Sequence, residues 1–280
     1  IGPLKSVLSD EGAADRAAAE AAQAQAAADS EALAAAQSIV ERAQSELVAG
    51  RLDDQRIVLV VAPGVDGAVV DGLREVIGQA EGTLSGTVTL TDEYLDANKA
   101  TSQDDVALRL APPEASLPAS GPAGSRRDAA LAASLVATGD QVGEESEPSA
   151  GFIEAMTQVG ALVSTGTPQS RADVAVLVVP TGAENVTVVQ GLATALGAAG
   201  GVVAVAPTAA DESATLLAIR AAAPASVSTS AASATPAGRI AVIDALADAV
   251  KGRFGAYGIG PTEASTSAPT SVPTTTPSGG

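Results

Sequence analysis

The first fifty residues carry a helical pattern made mainly of alanine. Between Leu4 and about Ala49 the chain is rich in Ala, Glu, Gln and Asp, with Gly12 as the only glycine and no proline. Because alanine has the highest helix propensity, this composition predicts one helix, about 65 Å long at 1.5 Å rise per residue. Gly50 is well placed to end it as a C-cap.

An apolar seam runs along this predicted helix. Apolar residues recur every seven positions and again three residues later, which is the a/d pattern of a coiled coil, interrupted by Asp15 and Asp29. A single helix cannot bury such a seam alone. We therefore expect association, either as a homodimer or with another protein, and the alternative is a solvated alanine-rich spacer. The predicted interface consists of Ala19, Ala22, Ala26, Leu33, Ala36, Val40, Ala43 and Leu47.

The pattern changes after Arg56. Residues 57–62 form a short apolar run that is typical of a strand buried on both faces. Residues 65–80 have the spacing of an amphipathic helix, and residues 83–90 form a Thr- and Val-rich strand followed by a helix start at Thr91. This order predicts a right-handed β-α-β unit with a parallel strand pair.

The same alternation continues to residue 250. It predicts a mostly parallel, Rossmann-like open sheet with helices on both faces, which is an α/β fold. Further strands are predicted at 173–179, 201–206 and 226–229, helices at 128–138, 152–164, 185–196, 211–223 and 239–250, a loop at 112–125 and an acidic connector at 139–151. The predicted organisation is a coiled-coil helix over 1–52, an α/β domain over 53–260 and a disordered Pro/Ser/Thr tail over 261–280.

Composition excludes several functions. Lys and Arg number 15 against 33 Asp and Glu, giving a net charge of −18, and aromatic residues make up 1% of the chain. We therefore expect no nucleic-acid binding and no stacking platform for bases or cofactors. The chain has no cysteine and no histidine, so disulfides and a serine–histidine triad are excluded. We predict no catalytic residues, no cofactor and no metal site.

Local motifs support the same conclusion. The turns at 62–67 and 180–185 follow predicted strands but lack both a phosphate-loop lysine and a G-x-G-x-x-G pattern, so we interpret them as structural, with ligand binding at 180–185 as the alternative. Adjacent carboxylates at 10–11, 53–54, 104–105 and 144–145 are interpreted as solvated acidic stretches, because neighbouring side chains point apart. The uncharged stretch 186–210 is predicted to be helix, turn and buried strand rather than a membrane span.

Two segments carry a resemblance to a known family. Residues 77–98 (IGQAEGTLSGTVTLTDEYLDAN) and 238–261 (GRIAVIDALADAVKGRFGAYGIGP), with the Tyr257–Gly258 pair as the most specific mark, resemble the actinobacterial MctB family, which is named for copper transport. The resemblance implies a membrane helix just before Ile1 and an α/β domain outside the cytoplasmic membrane. It also implies copper export or an outer-membrane pore.

Other members of this family suggest a second role. SteB-like relatives are linked to cell division through a cytoplasmic partner, SteA, which would act through the implied anchor. Copper(I) prefers thiolate, thioether and imidazole ligands, and the chain offers only Met156, at a core-like position. We therefore expect a non-enzymatic, dimeric envelope scaffold, with copper or small-solute transport as the alternative.

Overall fold

The chain divides into two compact units, Ile1–Ala43 and Gln44–Gly280. The computed structural model describes residues 3–165, 170–182, 185–209, 213–222 and 224–258. The predicted tail, 261–280, lies outside these residues, as do three residues of the helix predicted at 211–223.

The N-terminal helix is confirmed. Helix α1 runs over Pro3–Val48, and the chain turns after it at Gly50, whose φ of 68° is left-handed and favours glycine. The last turn of α1 belongs to the second unit. There, Gln44 and Val48 are buried, and the Gln44 side chain donates to Gln79 Oε1 at 2.8 Å.

A seven-stranded sheet organises the second unit, in the order β3-β2-β1-β4-β5-β6-β7. The α/β prediction is confirmed, and within the described residues every pairing is parallel except that of β3 with β2. The strands are β1 Arg56–Val61, β2 Thr83–Leu90, β3 Leu162–Thr165, β4 Val174–Val178, β5 Val202–Val205, β6 Val227–Ser230 and β7 Ala256–Tyr257. The helices are α2 Gly67–Gln79, α3 Asp92–Leu95, α4 Ala100–Leu110, α5 Ser125–Leu135, α6 Glu147–Gln158, α7 Val186–Ala199, α8 Ala214–Ala222 and α9 Pro236–Ala249, with a 3₁₀ turn at Gly139–Gln141.

Strand β1 explains why the apolar runs lack alternation. Val58 and Val60 pack into one core layer with α3 to α8, whereas Ile57, Leu59 and Val61 pack into the opposite layer with α2 and α9. Both faces of the strand are therefore covered, and each of its positions from 57 onward is apolar.

The last crossover is unusual. Helix α8 packs in the first layer, and α9 packs in the second, although both connect to the next strand in the same direction across the sheet. Parallel crossovers whose helices lie on opposite faces have opposite hands, so one of the two departs from the right-handed rule. The edge strand β7 is only two residues long, and Arg220 donates to the Tyr257 carbonyl at 3.2 Å.

Three predictions in the middle of the chain were wrong in detail. The helix predicted at 152–164 begins earlier, since Ser146 caps it and Pro148 suits its first turn, and it ends before Gly160 at φ 76°. The apolar Leu162 that seemed to continue it begins strand β3. The helix predicted at 128–138 begins at Ser125, and its last residues are extended because Val136 forms a bridge with Ala172. Helix α4 was not predicted.

Candidate functional site

The predicted seam residues lie on one side of α1, and most of them are exposed. Leu33 is 61% exposed and Leu47 53% exposed, and nearby Ile39, outside the a/d lines, is 60% exposed. Single exposed apolar side chains are ordinary, and Leu108 of α4 is 56% exposed, but three of them along one side of a helix form a patch that is typical of an interaction surface. Ala19, Ala22, Ala26 and Ala36 are also exposed, and Val40 and Ala43 are half-buried.

The same side of α1 excludes charge. With Ala19 and Leu33 at position a of the heptad, the facing positions a, d, e and g between residues 18 and 44 contain Ala, Gln, Ser, Leu, Ile and Val. Asp29 is the single charged side chain among them. Glu20, Glu31 and Glu41 lie at b and f, on the other side. In a chain with 33 acidic residues, this distribution marks a face that is neutral except at Asp29.

The carboxyl edge of the sheet offers a second place for a ligand. The connections that leave β1 and β4 run in opposite directions across the sheet, and open α/β sheets bind ligands at such a switch point. Asp66 follows β1, and its carboxylate accepts the Ala68 N–H at 2.9 Å as the cap of α2. A carboxylate of the protein thus occupies the end of α2 where a phosphate would bind. After β4, the carbonyl of Gly182 accepts the Thr215 hydroxyl at 2.9 Å. Residues 183 and 184 of the predicted turn lie outside the described part of the chain.

A buried polar cluster was missed by sequence reasoning. Arg127 is 1% exposed, and its guanidinium donates to Asp128 Oδ1 at 2.8 and 2.9 Å, to the Tyr94 carbonyl at 2.7 Å and to Gln103 Oε1 at 2.6 Å. It also lies 3.8 Å from the centre of the Tyr94 ring. Asp104, interpreted above as solvated, is buried instead and accepts the Arg127 N–H at 2.9 Å, whereas Asp105 is exposed.

This cluster has a structural rather than a chemical role. It joins α3, α4 and α5, and each guanidinium nitrogen of Arg127 donates to another group of the protein. Burial raises the pKa of Tyr94 well above its ordinary value of 10, and the neighbouring Asp128 raises it further, so the phenol stays protonated. The sequence pattern could have indicated that Arg127 is buried, because Arg127 lies at i, i+4 and i+8 spacing with buried Leu131 and Leu135, but it does not identify the partners of Arg127.

A shallow polar cleft of about 540 Å³ lies at the end of α9. Two of the three cations that line it are paired, Arg51 with Asp244 and Arg253 with Asp248, and Lys251 is the third. Tyr257 donates to Asp248 Oδ2 at 2.8 Å. Burial and this carboxylate raise the pKa of Tyr257 to about 12. Hydrogen bonds from Arg253 and Tyr257 outweigh partial burial and lower the pKa of Asp248. The phenol therefore cannot act as a base near neutral pH, and two ion pairs occupy much of the polar lining of the cleft.

The described residues contain no group of three or more histidine, cysteine, aspartate or glutamate side chains that could hold a metal ion. Met156 lies at 0% exposure in the core beside α5, as predicted. A buried thioether in apolar packing is a core residue rather than an accessible copper ligand.

The Tyr257–Gly258 mark has a steric explanation. A Cβ on Gly258 would lie 2.8 Å from the Ala231 nitrogen, and the residue has a left-handed φ of 92°. Gly238 is more constrained, because a Cβ there would lie 1.9 Å from the Ala232 carbonyl oxygen. Both glycines allow the end of the chain and α9 to approach the backbone that follows β6.

Fold and surface together define an α/β domain that carries a long N-terminal helix with a neutral, apolar face. The chain belongs to the MctB family, described as copper transport outer membrane protein, whose family model matches residues 2–268. This confirms the resemblance and makes the chain a copper-transport-related envelope protein, in a family that is not a known enzyme family. A comparison with curated proteins gives no match. None of the described helices combines the length and the apolar character that a membrane crossing requires.

Proposed function

We propose that the protein is a non-enzymatic scaffold of the cell envelope that dimerises through α1. In this proposal a membrane anchor precedes Ile1, and the α/β domain lies outside the cytoplasmic membrane. The domain offers a surface to other envelope components, and a SteA-like cytoplasmic partner couples the anchor to cell division. Family membership supports the envelope setting.

The proposed dimer rests on one observation. Leu33, Ile39 and Leu47 are each more than half exposed on a helix face whose only charged residue between 18 and 44 is Asp29. In the α/β domain, by contrast, apolar side chains of this size are mostly at 0% exposure. A second helix that covers this face would bury the seam as coiled coils do, with a and d residues packing between helices.

Sedimentation equilibrium of the full chain tests the proposal. We expect a concentration-dependent dimer, and the double substitution Leu33→Gln with Val40→Gln should shift it to monomer, because it places two amides in the seam. The matched control is Ala24→Gln with Glu31→Gln, which adds glutamines at position f. A chain that is monomeric at every concentration, or a control that dissociates as readily as the seam variant, would overturn the proposal.

The family description favours a second candidate, a transport component for copper or small solutes. Calorimetric titration of the chain with copper(I) tests direct metal handling. We expect no stoichiometric binding with a dissociation constant below about 1 μM, because soft ligands are missing from the chain surface. Tight stoichiometric binding would instead favour transport.

A further inference from the structure

We propose that two copies pair in parallel and in register, and that the layer formed by Asp29 and Asp29 of the second copy limits the strength of the pair. This inference rests on the proposed dimer. It adds the orientation of the partner and names the residue that weakens the interface.

The heptad positions distinguish the two orientations. From residue 19 onward the large seam residues, Leu33, Val40 and Leu47, all lie at a, whereas d holds alanines and Asp29. Parallel helices pair a with a and d with d, so each large side chain meets its own copy and the two Asp29 side chains share one layer. Antiparallel helices pair a with d.

An antiparallel pair would be less favourable for Asp29. In the antiparallel registers that pair Asp29 with residues 19–47, Asp29 faces an apolar a residue of the other copy, namely Ala19, Ala26, Leu33, Val40 or Leu47. By symmetry this happens twice, which creates two layers with a carboxylate against an apolar side chain. Removing a charge from water without a partner is costly. The parallel pair confines Asp29 of both copies to one layer and leaves the layers from Leu33 to Leu47 free of acidic residues.

The surroundings of Asp29 offer no compensating charge. Its side chain is exposed and accepts a hydrogen bond from Gln25 Nε2 at 2.8 Å. Neighbours on the same face are Gln25, Ser30 and Ala32, and Glu31 lies at f. Among the described side chains, the nearest cations of the first unit along the helix are Arg16 and Arg42, each about 20 Å away at 1.5 Å per residue. Two carboxylates in one layer of the pair therefore repel each other.

Disulfide trapping tests the orientation, and the native chain suits it because it has no cysteine. Ala36→Cys places one thiol at d, where a parallel pair brings it opposite its own copy. We expect oxidation to link most of this variant as a dimer. An equal mixture of Ala26→Cys and Ala43→Cys chains, one carrying a size tag, should give few mixed dimers. Mixed dimers in that mixture, with none from Ala36→Cys, would show an antiparallel pair and overturn the inference.

Substitution of Asp29 tests the limiting layer by sedimentation equilibrium. We expect Asp29→Leu to lower the dimer dissociation constant by about tenfold or more, and Asp29→Asn to lower it by a smaller factor. Glu31→Gln is the matched control, since it removes one negative charge at position f and should change the constant by less than about twofold. Equal effects of Asp29→Asn and Glu31→Gln, or none from either Asp29 variant, would contradict the assignment.

The outcomes separate this inference from the proposed function. A native chain that stays monomeric, with Asp29→Leu monomeric as well, removes both. A native dimer that fails the cysteine or Asp29 tests leaves the dimer in place and overturns only the parallel pairing or the acidic layer.

Discussion

The two units of the chain treat side chains in opposite ways. In the α/β unit a charged residue, Arg127, is 1% exposed, and its guanidinium donates hydrogen bonds to Tyr94, Gln103 and Asp128. On the helix, by contrast, an apolar residue, Leu33, is 61% exposed. Burying an ion costs far more than exposing a leucine, so the α/β unit provides internal partners even for its most costly group. The helix has no internal partner for the exposed part of its seam, from Ala19 to Ala36, and this contrast supports the interpretation of α1 as the interacting part.

The largest expected effect comes from breaking the buried cluster. Arg127→Ala should lower the free energy of unfolding by about 3–5 kcal/mol, because it leaves Asp128 buried without its cation and removes the donor of Gln103 and of the Tyr94 carbonyl. Chemical denaturation followed by circular dichroism measures this.

Arg109→Ala is the control, since Arg109 is exposed at the end of α4, and it should change stability by less than about 0.5 kcal/mol. If both variants lost little stability, the cluster would not stabilise the α/β unit, and the contrast between the two units would weaken.

A smaller effect is expected where α9 meets the loop after β6. Gly238→Ala should cost about 3 kcal/mol, because its Cβ would collide with the Ala232 carbonyl. Gly78→Ala in α2 is a matched change, since nothing lies within 4 Å of a Cβ there. It should stabilise the protein by about 0.5–1 kcal/mol through helix propensity. If the denaturation midpoints of both variants moved in the same direction, this description of the packing would be contradicted.

The two tyrosines give a test without substitution. Tyr94 has a pKa well above 10, and Tyr257 one of about 12. Absorbance at 295 nm should therefore show almost no phenolate at pH 10 in the folded protein. A raised folded pKa means that the stability contributed by each phenol is complete below pH 10 and is lost as the pH rises through the folded pKa, which for Tyr257 is about 12. Ionisation of either ring near pH 10 in the folded state would show that it is not enclosed as described.

The smallest effect on stability should come from the seam. Leu33→Gln should change the unfolding free energy of the α/β unit by less than about 0.5 kcal/mol, since Leu33 contributes nothing to its core. Denaturation at low protein concentration, where the chain is monomeric, isolates this value. A large loss there would mean that the helix face supports the α/β unit rather than a second copy.

Sequence patterns were sufficient where one physical rule decided the structure. Alanine content predicted α1, and the apolar run after Arg56 predicted a strand covered on both faces, since only such strands lack alternation. Predictions for the middle of the chain were wrong in detail, because the ends of its helices depend on capping and on tertiary pairing. Ser146 begins α6 earlier than its apolar residues suggest, and Leu162 pairs with Leu90 in an antiparallel edge that no local pattern indicates.

The candidate site divides in the same way. The a/d repeat identified the seam from spacing alone, and its pairing remains a prediction. The Arg127 cluster could not be predicted, because its partners come from α3, α4 and α5 and meet only in the folded chain. Asp104 was assigned to a solvated acidic stretch because its partners, the N–H groups of Gly124 and Arg127, lie twenty or more residues away.

The buried last turn of α1 has a consequence for how the helix melts. An isolated helix must first form a costly nucleus, with a penalty factor on the order of 10⁻³. Gln44 and Val48 are buried in the second unit, so the last turn of α1 stays helical while that unit is folded. The alanine segment can therefore extend the helix from this turn without forming a new nucleus. Unwinding should then proceed residue by residue from the Pro3 end, and heating should reduce helicity gradually, without a sharp transition, until the core that seeds the helix unfolds.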